Sequence, residues 1–508
     1  MVGKTYSCTF SGLNCQIVEV QADISNGLPY FSIVGLGDTS VQESKERVRS
    51  SIKNSGAVFP QTRKTINLAP AQLKKQGSLL DLPIAVSILI ASDQISKEKL
   101  SKTLIIGELS LTGQIKKVPG ILAITQHAKE NGFKRIFLPQ ENAVEASFIE
   151  GIEVYPFECI SDLIDYTFSE IELKRFPVAN INRFKGGISK RTHFDNIVGH
   201  TQAKRALLIA AAGGHNVLLY GAPGCGKTLL CRSFKSILPP MTKDEILETT
   251  KIFSISNLLT EKEPLITERP FREVHPTASV ASIIGGGTNP KPGEISLAHN
   301  GVLFFDEIAE FSKFTLNALR QPLEDREINI SRAKNRYRFP SNFTFLATMN
   351  PCPCGYKGDK RIPCVCTQSQ IRNYQKKLSG PLLDRIDIFL EISKVSMSKA
   401  LVRTNKEIFS FAPILDAQQI QENRFSKNRI NKNSDMSLSH IRKHCSLSTD
   451  AQKLITHASQ SLNLSNRGYL KVIKLARTIA DLEYKEKISE NHIAEALQYR
   501  KRHATSPS

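Results

Sequence analysis

Apolar residues in this 508-residue chain fall into short blocks, and several blocks stop at a polar or charged side chain. Val217-Leu-Leu-Tyr220 leads into Gly221-Ala-Pro-Gly-Cys-Gly-Lys-Thr228 and then a helical stretch. Gly301-Val-Leu-Phe-Phe305 leads into Asp306-Glu307, and Thr344-Phe-Leu-Ala-Thr-Met349 into Asn350. Short continuous apolar runs of this kind predict parallel strands buried on both faces, which present chemistry at their carboxyl ends. Leu382-Leu-Asp-Arg385-Ile-Asp-Ile388 sets an arginine between a helix-like and a strand-like segment. Elsewhere the period changes. Phe31-Ser-Ile-Val34 alternates as a strand does, and Ser40–Asn54 is helical in pattern. Ile328-Asn-Ile-Ser331 and Tyr337-Arg-Phe339 alternate on either side of an Ala333-Lys-Asn335 turn, which predicts a hairpin. Leu470–Leu482 and Ile488–Arg500 have helical periodicity.

The residues that interrupt the apolar runs carry the chemistry. Gly221, Ala222, Pro223, Gly224, Cys225, Gly226, Lys227 and Thr228 have phosphate-loop spacing in the strand–loop–helix context that its mechanism requires. The glycines let backbone N–H groups approach phosphate oxygens, Lys227 reaches the outer phosphates, and the Thr228 hydroxyl sits on Mg2+. Asp306 is expected to hold the same Mg2+, and Glu307 to orient and deprotonate the attacking water. Both motifs in this order predict ATP hydrolysis. Asn350 is placed to align the water, and Arg385 reads either as a local ion-pair partner or as a charge offered to a neighbouring subunit's γ-phosphate.

Composition narrows the use of the ATP. The length suggests two or three domains, and a 40% hydrophobic fraction without tryptophan is ordinary for a soluble protein. Leu82–Ala91, the longest apolar stretch, is short of a bilayer span, and no basic-then-apolar export segment begins the chain; a cytoplasmic protein without membrane contact is expected. A formal charge of +20 and a pI near 9.5 point to a polyanionic partner, or to a merely solubilising surface. Four of the ten cysteines cluster as Cys352-Pro-Cys354 and Cys364-Val-Cys366. They read either as ligands of a tetrahedral structural zinc or as four reduced thiols, the spacing within each pair being one residue shorter than in common zinc ribbons.

The chain divides into residues 1–176, a polar, glycine-containing linker over 177–191, a nucleotide-binding block over 192–392 and a helical block over 393–508 that ends in a Ser/Pro tail expected to be disordered. No tandem repeat is present.

Gly221–Thr228, Asp306–Glu307, Thr348-Met-Asn-Pro-Cys-Pro-Cys-Gly-Tyr356 and Leu382–Ile388 resemble the magnesium-chelatase-like branch of AAA+ ATPases. The whole chain resembles the ComM/YifB family, through Gly27–Leu36, Asn67-Leu-Ala-Pro70 and Leu464–Leu482 as well; Gly37 stands where a proline is usual. The resemblance implies an α/β protein with a Lon-protease-like N-terminal α+β domain, a central AAA+ parallel α/β domain and a C-terminal helical lid. It implies a homo-hexameric ring with ATP between subunits, Asn350 as sensor 1, Arg385 as arginine finger and Arg467 as sensor 2, with Arg477 in reserve. Two insertions would face the pore: Phe271–Gly287, and the hairpin Arg326–Arg336. The hairpin's Arg332 and Lys334, with Arg336, would follow a phosphate backbone without reading bases.

In the Lon-like block, Gly107-Glu-Leu-Ser-Leu-Thr-Gly113 fits Lon's strand pattern, but Ile84 stands where Lon has its serine and Leu122 where it has its lysine. Without that pair nucleophilic catalysis is lost, so a binding or assembly platform is expected. The family implies a branch-migration helicase that acts on single-stranded and branched DNA during integration of transforming DNA, with recombination proteins as further partners. A chelatase-type motor remodelling a protein partner is the alternative.

Overall fold

Two sheets and a helical cap organise the chain. The computed structural model describes residues 2–75, 77–168, 174–181, 194, 197–260, 262–287, 290–331, 336–359, 362–394, 411–426 and 430–500. The N-terminal part forms strands β1 (Val2–Ser11), β2 (Asn14–Ser25), β3 (Tyr30–Val34), β4 (Arg63–Ala69), β5 (Thr103–Ile105), the small pair β6–β7 (Glu108–Leu109 and Ile115–Lys116), β8 (Arg135–Pro139) and β9 (Glu153–Phe157). Seven of them make a mixed sheet in the order β3-β4-β2-β1-β5-β8-β9. Val18, Val20 and Ala22 alternate inward along β2 and join the core built around helix Asp81–Ala91, every residue of which is buried. That burial explains why the helix reads as the chain's longest apolar stretch. Helix Thr39–Asn54 matches its expected span and is capped by Asp38, which accepts from the Val41 N–H at 3.0 Å.

Ile84 and Leu122 are both fully buried in apolar surroundings, so neither position offers a nucleophile or a base. Asp81 is buried too; its carboxylate pairs with Arg47 at 2.6 Å and accepts from the Leu109 N–H at 3.4 Å. Burial raises the Asp81 carboxyl to about 6 even against the Arg47 guanidinium.

The second sheet begins with β10 (Val217–Tyr220) and β11 (Phe271–Val274). A small antiparallel pair, β12–β13 (Gly285–Gly286 and Lys291–Pro292), then β14 (Val302–Phe305), the hairpin β15–β16 (Glu327–Ser331 and Arg336–Pro340), β17 (Thr344–Met349) and β18 (Ile388–Glu391) follow. The order β11-β14-β17-β10-β18 is parallel throughout. Both faces are covered, so β14 is buried at every position, as an unbroken apolar run requires. The resemblance assigns Phe271–Val274 to a pore insertion; these residues are instead the sheet's edge strand. Phe271 packs on Phe304 at 5.7 Å while Arg272 pairs with Glu294 and Arg232 with Glu273, a mixture that hides a strand from a hydrophobicity pattern. The remainder of that segment carries the short helix Val280–Ile284 and β12, whose partner β13 follows it.

Hairpin β15–β16 forms as the alternation predicts, with Ile328 opposite Phe339 and Ile330 opposite Tyr337. Ile328, Tyr337 and Phe339 face the core, whereas Arg336 and Arg338 are exposed. Arg332 and Lys334 lie outside the described residues, as do the Ser/Pro tail and most of 177–191. Ile181, within that expected linker, is buried against the N-terminal domain.

Helices Ala412–Phe425, Leu438–His444, Thr449–Ser461, Asn466–Leu482 and Glu490–Gln498 form the C-terminal cap. Their apolar faces share one core with helix Thr201–Gly213 and strands β10 and β18, and Arg205 ties the seam to Glu483 and Glu495 at 3.0 and 2.9 Å. Among the described residues no helix is long and apolar enough to cross a membrane.

Candidate nucleotide site

Three parallel strands bring the predicted residues together. Between β10 and helix Lys227–Ser233 the loop turns through Gly224 and Gly226, at φ 71° and 88°. Gly226 is the helix N-cap, and a residue with a Cβ would be strained in that left-handed conformation. Backbone N–H groups at such a loop and helix start form an anion cradle. Lys227 is buried, and its ammonium donates to the carbonyls of Gly221 and Ala222 at 2.8 and 3.0 Å and to Asn350 Oδ1 at 3.0 Å. The phosphate-binding cation is thus folded onto its own loop, in contact with the residue at the end of β17.

Asp306 follows β14, and its carboxylate accepts from Thr228 Oγ1 at 3.1 Å, bringing together the two groups expected to hold Mg2+. It also accepts from Thr348 Oγ1, while the Glu307 N–H donates to that hydroxyl at 2.9 Å. Glu307 takes a left-handed backbone conformation, φ 51°, which turns it out of the strand, exposed to solvent and 3.5 Å from Asn350 Nδ2. A non-glycine residue in this region costs energy that its surroundings must offset, and the Thr348 hydroxyl is one such restraint. Hard oxygen ligands from a hydroxyl and a carboxylate suit Mg2+, which when bound would neutralise charge on the β- and γ-phosphates.

The four cysteines converge directly after Asn350. Their Sγ atoms lie within 4.8 Å of one another, with separations of 3.4 Å (Cys352–Cys354), 3.7 Å (Cys352–Cys364) and 3.6 Å (Cys354–Cys364). Ligands at about 2.3 Å from a tetrahedral zinc stand about 3.8 Å apart, so the cluster fits a closed structural ion. The Lys357 N–H donates to Cys352 Sγ at 3.3 Å, and the Tyr356 N–H beside Cys354 draws that thiol down to about 6, while burial and the neighbouring thiols raise Cys364 and Cys366. Gly355 in the same loop lies against the phosphate loop: a Cβ there would stand 2.5 Å from Pro223 Cγ.

Arg385 and Arg467 are brought to each other, away from this cluster. Arg385 precedes β18 and its carbonyl accepts from Asn216, the residue before β10, at 2.9 Å, so it lies at the amino edge of the sheet. The phosphate loop, Asp306 and Asn350 follow the carboxyl ends of their strands, across the sheet. Arg467 opens helix Asn466–Leu482 and joins Arg385 on the carboxylate of Glu324. Arg477, held in reserve for a nucleotide contact, is buried and bound to Asp481 and the Lys485 and Glu486 carbonyls; it locks the cap internally. Sequence reading passes over Thr348 and Glu324. Thr348 had a signal, a hydroxyl interrupting the apolar run of its strand two positions before Asn350; Glu324, beside Asp325 at the end of a short helix, had none.

A phosphate loop on one strand of a parallel α/β sheet, acids on a nearby strand and a helical cap on the same core define a nucleotide-binding ATPase of the AAA+ class. The family model for magnesium chelatase, subunit ChlI, matches residues 193–400, with further models for subunit ChlI of Mg-chelatase over 20–142 and for the ChlI C-terminal region over 411–500. The chain is similar to uncharacterized protein YifB of Salmonella typhimurium, 38% identical over 493 residues that cover 96% of this chain and 95% of that protein. It is similar to competence protein ComM of Haemophilus influenzae, 38% identical over 504 residues, 97% and 96% of the two chains. Lon protease 2 of Bacillus subtilis is 33% identical over 154 residues, 28% of this chain and 26% of that one. The chain therefore belongs to the ComM/YifB family of magnesium-chelatase-like AAA+ ATPases.

Proposed function

We propose that the protein is a homo-hexameric, ATP-hydrolysing DNA translocase that promotes branch migration during recombination and the integration of transforming DNA. The observation that carries the reading is the divided site: Lys227, Thr228, Asp306, Glu307 and Asn350 share one edge of the sheet, whereas Arg385 stands at the other. A ring of copies would set the Arg385 edge of one subunit against the nucleotide of the next. There Glu307 would take a proton from the attacking water as the bond from the γ-phosphorus to the bridging oxygen breaks, releasing phosphate and ADP. Lys227 would leave its loop carbonyls for the phosphates, Asn350 would hold the water, and Arg385 would meet the charge that spreads over the γ-phosphoryl oxygens.

DNA as the partner is supported by the charge of +20 and by Arg336 and Arg338 exposed on hairpin β15–β16, in a chain whose relative ComM is named for competence. Structural zinc on Cys352, Cys354, Cys364 and Cys366 belongs to the same proposal. One equivalent of zinc per purified chain is expected, lost when the four cysteines become serine; a metal-free intact chain rejects the site. The family models bear the magnesium chelatase name, which keeps the protein-remodelling motor as the second reading. ATP hydrolysis measured with no DNA, single strands, duplex and branched DNA, beside Lys227→Ala, decides between them. Stimulation by single-stranded or branched DNA is expected, and turnover indifferent to every DNA form would shift the assignment to a protein substrate.

A further inference from the structure

One carboxylate joins the two arginines. Glu324, near the end of helix Arg320–Asp325, accepts from Arg467 Nη2 at 2.7 Å through one oxygen and from Arg385 Nη2 through the other. Arg385 is held further by the Arg320 carbonyl at 3.1 Å and the Pro381 carbonyl at 2.6 Å. The Arg467 side chain remains 58% exposed. Three guanidiniums therefore crowd one place, and burial together with the charges of Arg467 and Arg320 lowers the affinity of Arg385 for its proton. Without the negative charge between them, like charges at this distance would drive the side chains apart.

The cap does not depend on this contact for its seat. Lys471, one turn after Arg467, binds Asp387 at 2.8 Å beneath the sheet, and the shared apolar core holds the rest. Glu324 also stands at the root of the basic hairpin. Two residues on, Arg326 enters β15 with its guanidinium on the Phe343 carbonyl at 2.8 Å and on Asp435 of the cap at 2.8 Å. A displacement of the hairpin therefore moves the helix end that bears Glu324.

We propose that Glu324 is a positioning residue that binds Arg385 and Arg467 into a single two-guanidinium face, which meets the γ-phosphate of ATP held by a neighbouring copy of this chain. Both arginines then act between subunits, and the hairpin's root sets their alignment. The inference rests on the proposed ring, and the mass of the wild-type assembly in solution with ATP tests that reading separately.

Glu324→Gln is expected to lower kcat for ATP about tenfold or more while KM changes by less than about threefold, with thermal unfolding unchanged. Glu324→Asp, which keeps the charge on a shorter stem, is expected to recover part of the loss. Mixed with Lys227→Ala subunits, Glu324→Gln is expected to regain turnover, because its intact phosphate loop then faces an intact arginine pair. Arg385→Ala added to Glu324→Gln should cost much less than it does alone. Wild-type kcat in Glu324→Gln, a raised kcat, or a deficit that no mixture with Lys227→Ala relieves overturns the proposal. Where Glu324→Gln fails to fold, Glu324→Asp takes its place in the kcat and mixing measurements. A lowered kcat that Lys227→Ala subunits restore then supports the proposal, and wild-type kcat or an unrelieved deficit overturns it.

Discussion

Lys227 illustrates how a side chain can be satisfied and still available. Its ammonium spends its donors on the Gly221 and Ala222 carbonyls and Asn350 Oδ1, so its burial leaves no unpaired charge. Phosphate oxygens offer the same donors full negative charge, and charge-assisted bonds are the stronger ones. Lys227→Ala is therefore expected to weaken ATP binding by about 100-fold or more in a fluorescent-nucleotide titration. Glu307 has a separate role: it lies outside the loop, exposed, with its side chain 3.5 Å from Asn350 Nδ2. Glu307→Gln is expected to bind ATP normally and to lose about 100-fold or more in phosphate release. Normal turnover in that variant would remove Glu307 from the general-base role.

Two elements reach the site from later in the chain. The cysteine loop continues directly from Asn350 and lays Gly355, at φ 84°, against Pro223 of the phosphate loop. Gly355→Ala would be strained in that conformation and would press its Cβ toward a rigid ring, so one loop must shift. The expected result is ATP affinity reduced about tenfold with zinc content unchanged, read by titration and metal analysis on the same sample. Unaltered affinity would mean that the two loops move independently. The hairpin is the second element. Replacing Arg332, Lys334 and Arg336 by alanine is expected to weaken single-strand binding and to flatten the dependence of log K on log salt by about 2, the share of three lost phosphate contacts. An unchanged slope would place the DNA contact on another surface.

At the scale of the whole molecule, the ATPase domain and its cap meet across a seam of buried polar groups. His215 Nε2 lies 2.8 Å from Thr478 Oγ1, and Asp387, held down at about 2 by Lys471 and His215 against its own desolvation, faces the same seam. Burial lowers the His215 imidazole from 6.5 to about 4. Its folded value lies below its unfolded one, so the unfolded chain takes up the proton first as pH falls. The stability this neutral ring contributes is full above about 6.5 and is lost between there and about 4, a loss of about 3 kcal/mol. Urea midpoints from pH 7 to 4 should fall less steeply in His215→Gln than in the wild type; parallel curves would show that another group drives the acid response.

Much of this arrangement was legible along the chain because local chemistry demanded it. A phosphate loop needs glycines at left-handed positions, a strand covered on both faces needs unbroken apolar residues, and a hairpin needs alternation about a turn. Residues 221–228, 302–307, 344–350 and 327–340 satisfy these rules without reference to anything distant. Strand Phe271–Val274 escaped because, at the sheet's edge, charged side chains can pair outward and break the pattern. The partnership of Glu324 with Arg385 and Arg467 depends on contacts 61 and 143 positions apart. The meeting of Gly355 with Pro223, and the opposite placement of acids and arginines across the sheet, likewise depend on how strands stack. Sequence by itself determined which residues could perform the chemistry, since spacing and side-chain type are local. Only the tertiary structure decided that the arginines stand apart from their own chain's phosphate loop, because strand order and direction set which edge each residue occupies.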